Sequence, residues 1–485
     1  METMNKLQFL SDETLDKIEN TAHRLLNEVG IALNHEGARE MLHGLGCRVE
    51  EARTLIPPDV VAWAMENVTP HKDFYNVDGS HAFSFDGQRL RFHNGGGPPF
   101  IYDLESGDRR PATLQDVADM TRLLNALPHV DVVIPLFGPQ DVPSPLLAVA
   151  STEATLRNAR KPVSSAALDK PEYVDYVVQM AAACCGGMAS YRKHPSMTIS
   201  VSPVSPLTFS VEITASIIAV VESGSPFYPL PAPSLGATSP ITMAAALAQQ
   251  HAEVLASLVI AAAACPGALV GYSSRINPID LRTAVSSWGG PEVGMTGACA
   301  ARLAHRLGLP CDSYGFSTSS TRMDAQFAYE RLTNAFSPAL AGVDILSGVG
   351  TTDSGMAGGF EVAVIDNEII SLLKHVAQGC AVNDDTLAFE VMRNVILGDG
   401  VFLGEEHTVR HMRKGALWTP EISVRSASED TEREGVVARA QSRAAHILDT
   451  HQVEPLPDDV SRQIDQIMER ARRELVEGVS NGDWR

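Results

Sequence analysis

The sequence predicts an α/β fold, a (β/α)8 TIM barrel with N-terminal and C-terminal helical additions, on three observations. Eight short apolar runs bounded by Pro or Gly alternate with eight segments of helical periodicity. Strands alternating with helices of this length pair in parallel through right-handed crossovers. The eight units fill about 290 residues, enough for a barrel, and no dinucleotide fingerprint follows the first strand. An open α/β sheet of similar strand count is the alternative on pattern alone.

The first element is a capped amphipathic helix over residues 11–30. Ser11 is its cap, Asp12 and Glu13 follow, Leu15, Ile18, Ala22, Leu25, Leu26 and Val29 recur at helical spacing, and Gly30 ends it. Helical stretches at Glu36–Leu45 and Pro57–Asn67 complete an N-terminal helical region, 1–85, before strand-like runs near Tyr75–Leu90. The barrel, 86–383, has strand candidates Leu90–Asn94, Asp131–Phe137, Pro162–Ala166, Met197–Val201, Pro226–Leu230, Ala268–Ser273, Cys311–Phe316 and Val343–Val349. The helices between and after them are Leu114–Leu127, Leu147–Ala159, Glu172–Cys185, Val211–Ser223, Met243–Ala264, Pro291–Leu307, Ala325–Phe336 and Ala363–Gln378. From 384 to 485 the composition turns polar and helical, a C-terminal cap with a polar segment at Ser426–Gly435. In the charged helix Asp458–Val476, alternating signs at Asp465, Glu469 and Arg470 mark a solvated face.

Composition excludes several function classes. The chain has 485 residues, 44% of them hydrophobic, which is too many for a disordered protein and enough for a large core. Its formal charge of −21, with no run of Lys and Arg, argues against nucleic acid. The N-terminus lacks the basic and apolar regions of a signal peptide, and no window reaches about 18 unbroken apolar residues, so a soluble, cytoplasmic protein without a membrane span is expected. Glu253 interrupts the most apolar stretch, Ala252–Pro266, which reads as a buried helix. Seven scattered cysteines without a C-x-x-C pair imply reduced thiols.

In a barrel, function gathers where strands end. That rule selects His93, Asn94 and Gly95–Gly97, Phe137, Ser164 and Ser165, Ser200 and Ser202, Tyr228, Tyr272 and Ser273, Tyr314 and Phe316, and Gly350–Gly355. The set is short of charge: it has neither the paired carboxylates of a glycosidase nor the His and Asp ligands of a metallohydrolase. Gly95–Gly97, followed by Pro98 and Pro99, lacks the Gly-Lys-Ser/Thr ending of a phosphate loop. His407 and His411 stand four apart beside Glu405 and Glu406, but a third ligand pattern is missing, so a helix face or docking surface is the better reading and no metal is assigned. Cys184 and Cys185 read as small buried side chains, and Cys311 opens a strand at the end away from catalysis. What remains is hydroxyls and the aromatics Tyr228, Tyr272, Tyr314, Phe137 and Phe316 around glycine-rich loops. Such rings attract an organic cation, or else simply plug the barrel.

Several segments carry a resemblance. Pro231–Glu253 holds Gly236-Ala237-Thr238-Ser239-Pro240-Ile241-Thr242 and runs into a helix bearing His251 and Glu253. Asp280-Leu281-Arg282-Thr283 with Pro291-Glu292, Pro338 to Asp344, Asp366-Asn367-Glu368-Ile369-Ile370, and Phe402-Leu403-Gly404 to His407-Thr408 and His411 follow in order. Together they resemble the trimethylamine methyltransferase superfamily over most of the chain. The resemblance implies a (β/α)8 methyltransferase that takes a methyl group from a methylated amine and passes it to the cobalt of a separate corrinoid protein, binding no cofactor tightly itself. Founding members carry pyrrolysine. This chain has ordinary residues throughout, including Gly348–Gly355 after the eighth strand, and so resembles the branch acting on quaternary amines such as glycine betaine.

A quaternary ammonium is already charged and departs as a neutral amine, so no acid or metal is required, and catalysis reduces to holding the N–CH3 bond in line in a dry pocket. On this reading Asp353 is the catalytic candidate, a carboxylate that favours the cation. Tyr228, Tyr272, Tyr314 and Phe316 offer ring faces, and His93 and Asn94 hold the polar end. Arg275, His93 or the amides of the glycine run suit a substrate carboxylate. A barrel lyase or hydrolase, and a non-catalytic quaternary-amine-binding barrel, are the competing readings. Apolar helix surface makes a homo-oligomer the expectation, and the acidic surface predicts that a partner protein, the corrinoid protein that the resemblance implies, is met through shape, apolar contacts or basic patches of its own.

Overall fold

A strand covered on both faces is buried along its whole length, and Met197–Val201 is buried at all five positions, the hydroxyls Thr198 and Ser200 included. It pairs in parallel with Val163–Ser164 on one side and Phe227–Pro229 on the other. In the computed structural model, which describes residues 6–87, 89–425 and 434–477, the chain is a mixed α/β fold with parallel sheets. Residues 426–433 of the polar segment Ser426–Gly435 lie outside the described residues.

From Phe227 the pairing passes to Val270 in Ala268–Val270. The chain resumes after Gly271 as Tyr272–Ser274, which pairs with Cys311–Tyr314, and that strand pairs with Ile345–Val349. Ile345–Val349 then pairs in parallel with Arg91–Asn94. Single parallel bridges, His93 to Val132 and Val133 to Val163, carry the pairing onward to Val163–Ser164. The expected second strand, Asp131–Phe137, is therefore two bridges instead of a ladder. A side chain does the tying there: Asn94 Nδ2 donates to the Ile134 carbonyl at 2.7 Å, and its Oδ1 accepts from the Ile134 N–H at 2.8 Å.

The helices between these strands lie where periodicity puts them. Val211–Ser223 is capped by Ser210 and ends at Gly224, whose φ of +85° suits a left-handed terminus. Ala325–Ala341 differs, running through Pro338 beyond the expected end at Phe336. Proline removes one helical bond without forcing a stop, and the last turn closes where the Gly342 N–H meets the Ala339 carbonyl. Among the described residues one helix, Met243–Ala264, is long and apolar enough to cross a membrane, and 83% of its apolar window is buried in the fold.

The N-terminal region contains more strand than a helical reading allows. Helices Asp12–Arg24, Glu36–Gly44 and Pro58–Glu66 are interleaved with Ile31–Leu33, Arg48–Glu50 and Arg53–Leu55. Val68–Pro70 then pairs in parallel with Ala268–Val270. The following hairpin, Asp73–Tyr75 with His81–Ser84, stacks Phe74 on Phe83 at 4.7 Å and buries both against Val132 and Ile345. Those two residues begin their strands, so the hairpin plugs the strand-start end. At the C-terminus, Val436–Thr450 packs on Phe360–Ala377. The charged helix Asp458–Arg472 also has a buried side: Ile464 and Ala471 are enclosed, and Arg470 lies 5.2 Å from the Tyr176 ring.

Arg331 and Asp366, both fully buried, pair between helices Ala325–Ala341 and Phe360–Ala377, with Nε donating to Oδ1 at 2.8 Å. Arg331 also donates to the Thr351 carbonyl, and the Gly350 N–H donates to Asp366 at 2.7 Å. One ion pair thus fixes two helices and the loop after the eighth strand. Asp366→Asn leaves a buried guanidinium without its counter-charge and should cost about 3–5 kcal/mol, read as a lower urea midpoint. Burial pushes the His251 imidazole down to about 3, against roughly 6.5 in an unfolded chain. Its contribution is fully present above about pH 6.5 and is lost as pH falls, because only the unfolded state takes up the proton there. Between pH 7.5 and 5, His251→Gln should lose about 2 kcal/mol less stability than the parent, measured by urea unfolding at both values.

Candidate active site

Alternation along Cys311-Asp312-Ser313-Tyr314 decides what enters the interior of the strands. Ser313 faces the helices, where a Cβ on Gly297 would lie 2.1 Å from its Oγ. Asp312 and Tyr314 therefore point the other way. Asp312 is held from two sides: Arg275 Nη2 donates to its Oδ2 at 2.7 Å, and His93 Nε2 lies 3.2 Å from its Oδ1. His93 and Asp312 are buried, and Arg275 is nearly so. Burial alone would raise the Asp312 carboxyl, but the Arg275 guanidinium and His93 more than offset this and hold it at about 2. The other His93 nitrogen, Nδ1, meets the Asn94 carbonyl at 2.7 Å, so both ring nitrogens face acceptors.

Tyr228 approaches from the fifth of the central strands. Its ring occupies the space that Gly271 leaves, since a Cβ there would fall 2.1 Å from Tyr228 Cε1. Its hydroxyl is 3.1 Å from His71 Nδ1, and His71 Nε2 donates to the Asp73 carbonyl at 2.9 Å. Burial pushes His71 down to about 4, so it is neutral at pH 7 and Nδ1 accepts from the phenol. Burial, with Asp312 and Asp344 adding to it, keeps that phenol far from ionising.

Above these groups, on the strand-end side, Tyr314 donates to or accepts from Thr351 Oγ1 at 2.8 Å. Its ring lies 4.9 Å from Trp288 and 5.7 Å from the Arg275 guanidinium. Arg275 uses Nη1 on the Ser274 and Asp312 carbonyls and Nη2 on Asp312, three of its five N–H donors. A guanidinium with spare donors and two ring faces thus share one wall.

The structure brings His93, Tyr228, Arg275 and Tyr314 into one neighbourhood and sets the other expected residues apart from it. Asn94 is engaged with the Ile134 backbone. Tyr272 turns toward helix Met243–Ala264 and meets His251 Nδ1 at 3.2 Å. Phe316 is fully buried, 6.0 Å from Phe92. Asp353 sits in the loop after the eighth strand with a φ of +53°, followed by Ser354 at +52°. Its partner is Arg109, 3.5 Å away, whose guanidinium stacks on Phe100 at 3.7 Å. Burial raises the Asp353 carboxyl and Arg109 opposes it. The rings of His407 and His411 lie 4.2 Å apart, both turned to Asp385. Among the described residues no three His, Cys, Asp or Glu side chains gather as a metal site.

Asp312, His71 and Trp288 escape a search confined to strand tips. Asp312 is the second residue of its strand, and the signal for it was available: it shares a face with Tyr314 two residues later. His71 and Trp288 lie outside the central strands and carry no comparable signal.

The family model described as "Trimethylamine methyltransferase (MTTB)" matches residues 1–476. The trimethylamine methyltransferase MttB of Desulfitobacterium hafniense (strain DSM 10664 / DCB-2) is 29% identical over 469 residues, 96% of this chain and 94% of that protein. The glycine betaine methyltransferase of Desulfitobacterium hafniense (strain Y51) is 28% identical over 476 residues, 97% of this chain and 98% of that protein. The crystal structure of the Methanosarcina barkeri monomethylamine methyltransferase (MtmB) aligns over 96% of this chain and 94% of that one, at 12% identity and a TM-score of 0.45. Because the family model spans nearly the whole sequence, the chain belongs to the trimethylamine methyltransferase family.

Proposed function

We propose that this methyltransferase demethylates a quaternary amine bearing a carboxylate, glycine betaine or a similar zwitterion, and delivers the methyl group to a separate corrinoid protein. The wall formed by Arg275, Tyr314 and Trp288 carries the reading. It offers a carboxylate two free N–H donors next to ring faces that attract a methylated cation. The relatives that act on trimethylamine and on glycine betaine support the reaction class. The body that holds the site is, on this reading, a closed (β/α)8 barrel over 86–383, between an N-terminal region, 1–85, and a C-terminal cap, 384–485. The parallel pairing that returns from Ile345–Val349 to Arg91–Asn94 supports closure.

The corrinoid, when its carrier docks, supplies cobalt(I), the nucleophile that accepts the methyl group. The strand-end loops suit its approach, because a Cβ on Gly97 or Gly355 would meet open space. This chain's own residues bind and orient. Arg275 takes the carboxylate, Tyr314 and Trp288 face the onium, and Asp312 fixes Arg275 so that little rotamer freedom is lost on binding. His93 and Tyr228 hold Asp312 in a water-poor setting. Asp353 and Arg109 form a charge pair at the entrance, where Asp353 favours the arriving cation. No general acid is needed, since the amine leaves neutral.

Incubating the protein with cobalt(I) cobalamin and a panel of onium compounds should consume the cobalt(I) absorbance with one carboxylate-bearing member. Mass spectrometry should then find the amine short of one methyl, and trimethylamine should remain intact. Thermal stabilisation by a panel member without turnover, even with a corrinoid protein present, would replace the enzyme reading with the binding-protein one. Arg275→Lys keeps the charge but loses the fork, and should raise KM for a carboxylate-bearing substrate about 10–100-fold while leaving choline nearly unaffected, read from steady-state kinetics on both.

A further inference from the structure

Helix Phe360–Ala377 is left and rejoined by the same excursion of chain, residues 379–417. The chain returns where Trp418 Nε1 donates to Ser371 Oγ at 2.9 Å. The Glu368 carboxylate then accepts three consecutive backbone N–H groups, from Glu421, Ile422 and Ser423, at 2.9, 3.3 and 2.9 Å. Between these anchors the excursion forms Asp384–Leu387, Phe389–Leu397 and Glu406–Arg413. All of its residues are described, yet one alone, Val395, is buried. Eleven large apolar side chains stand exposed, Phe389, Ile396, Phe402 and Met412 among them, with Leu397 and Leu403 each 81% accessible. None of the eleven belongs to the main core.

We propose that residues 379–417 are a self-association arm, covered in solution by a second copy of this chain. Eleven such side chains, at on the order of 100 Å² apiece, exceed both the roughly 800 Å² per partner that a stable interface buries and the apolar patch an ordinary monomer exposes. Charge selects the occupant. Two molecules that each carry −21 repel across most of their surface, whereas the arm holds six carboxylates against four Lys and Arg. Two of the opposite pairs are already made internally, Asp385 with Arg410 and Glu390 with Arg393. Permanence selects it too: a partner that comes and goes would leave this face bare between visits, whereas another copy is always present.

Position leaves the site free. Lys374, near the end of the parent helix, lies 3.7 Å from Asp131, which begins the second central run. The arm therefore leaves from the strand-start side, opposite the loops beside Tyr314 and Asp353. This inference does not rest on methyl transfer, and its readouts are mass and amide protection.

Sedimentation velocity on the full chain, from roughly 1 to 50 µM, should show a mass of two or more chains. The double variant Leu397→Glu, Leu403→Glu should weaken association about a hundredfold or more and run as a single chain, with unchanged circular dichroism. Hydrogen exchange on the parent protein gives a reading that needs no variant: amides of 379–417 should lose protection on dilution while the central strands keep theirs. A single-chain mass throughout, a variant that keeps the parent's mass, or an arm protected only when a corrinoid protein is added would each overturn the proposal.

Discussion

A guanidinium and a carboxylate shut away from water hold this molecule's interior in register. Arg331 and Asp366 are both inaccessible, and each is answered on more than one side, which is the condition under which a buried pair is tolerated. Their position matters more than their net energy. Through the Gly350 N–H and the Thr351 carbonyl they fix the backbone that leaves the eighth central strand. Thr351 then sets the Tyr314 hydroxyl, and the left-handed turn at Asp353 and Ser354 follows directly. A loop with two consecutive non-glycine residues at positive φ persists only when its surroundings dictate its path. Here they do.

The site follows the same logic of charges answered before any ligand arrives. Asp312 stays ionised despite its burial because Arg275 and His93 stabilise the anion more than desolvation disfavours it. The result is a polar interior that carries little net charge of its own. On the proposed function such an environment suits a zwitterion better than a simple cation, since it offers a guanidinium edge and aromatic faces without a lone anion to be neutralised. His71 and Tyr228 extend the same economy toward the plugged end, each satisfying the other while both remain neutral.

Periodicity made most of the architecture legible, because a run buried along its whole length, like Met197–Val201, carries apolar or small hydroxyl side chains and no charge. The same signal located the start and end of Val211–Ser223 and Met243–Ala264. It failed where side chains substitute for backbone, as at Ile134, whose ladder bonds go to Asn94. It failed also at the helix expected to end at Phe336, which carries on through Pro338 to Ala341. In the site, residues at strand tips were recognisable, whereas Asp312 lay deeper and required counting alternate positions inward from Tyr314. Tyr272 shows the converse: it stands one residue beyond the Tyr228-facing gap at Gly271, and that single step turns it toward a helix. No local pattern could report Trp288 or His71, which reach the site through tertiary packing from outside the repeating units.

On the proposed function, with the barrel closed, the Phe74 and Phe83 plug at the strand-start end leaves the strand-end loops as the way in. On that reading a small amine and a protein-borne acceptor would use it in turn: the amine would be seated before the acceptor closes the entrance, and the demethylated product would wait behind it. Such geometry imposes a compulsory order of binding and release. High acceptor concentrations would then trap empty enzyme, and the tempo of turnover would be governed by how quickly the two proteins part.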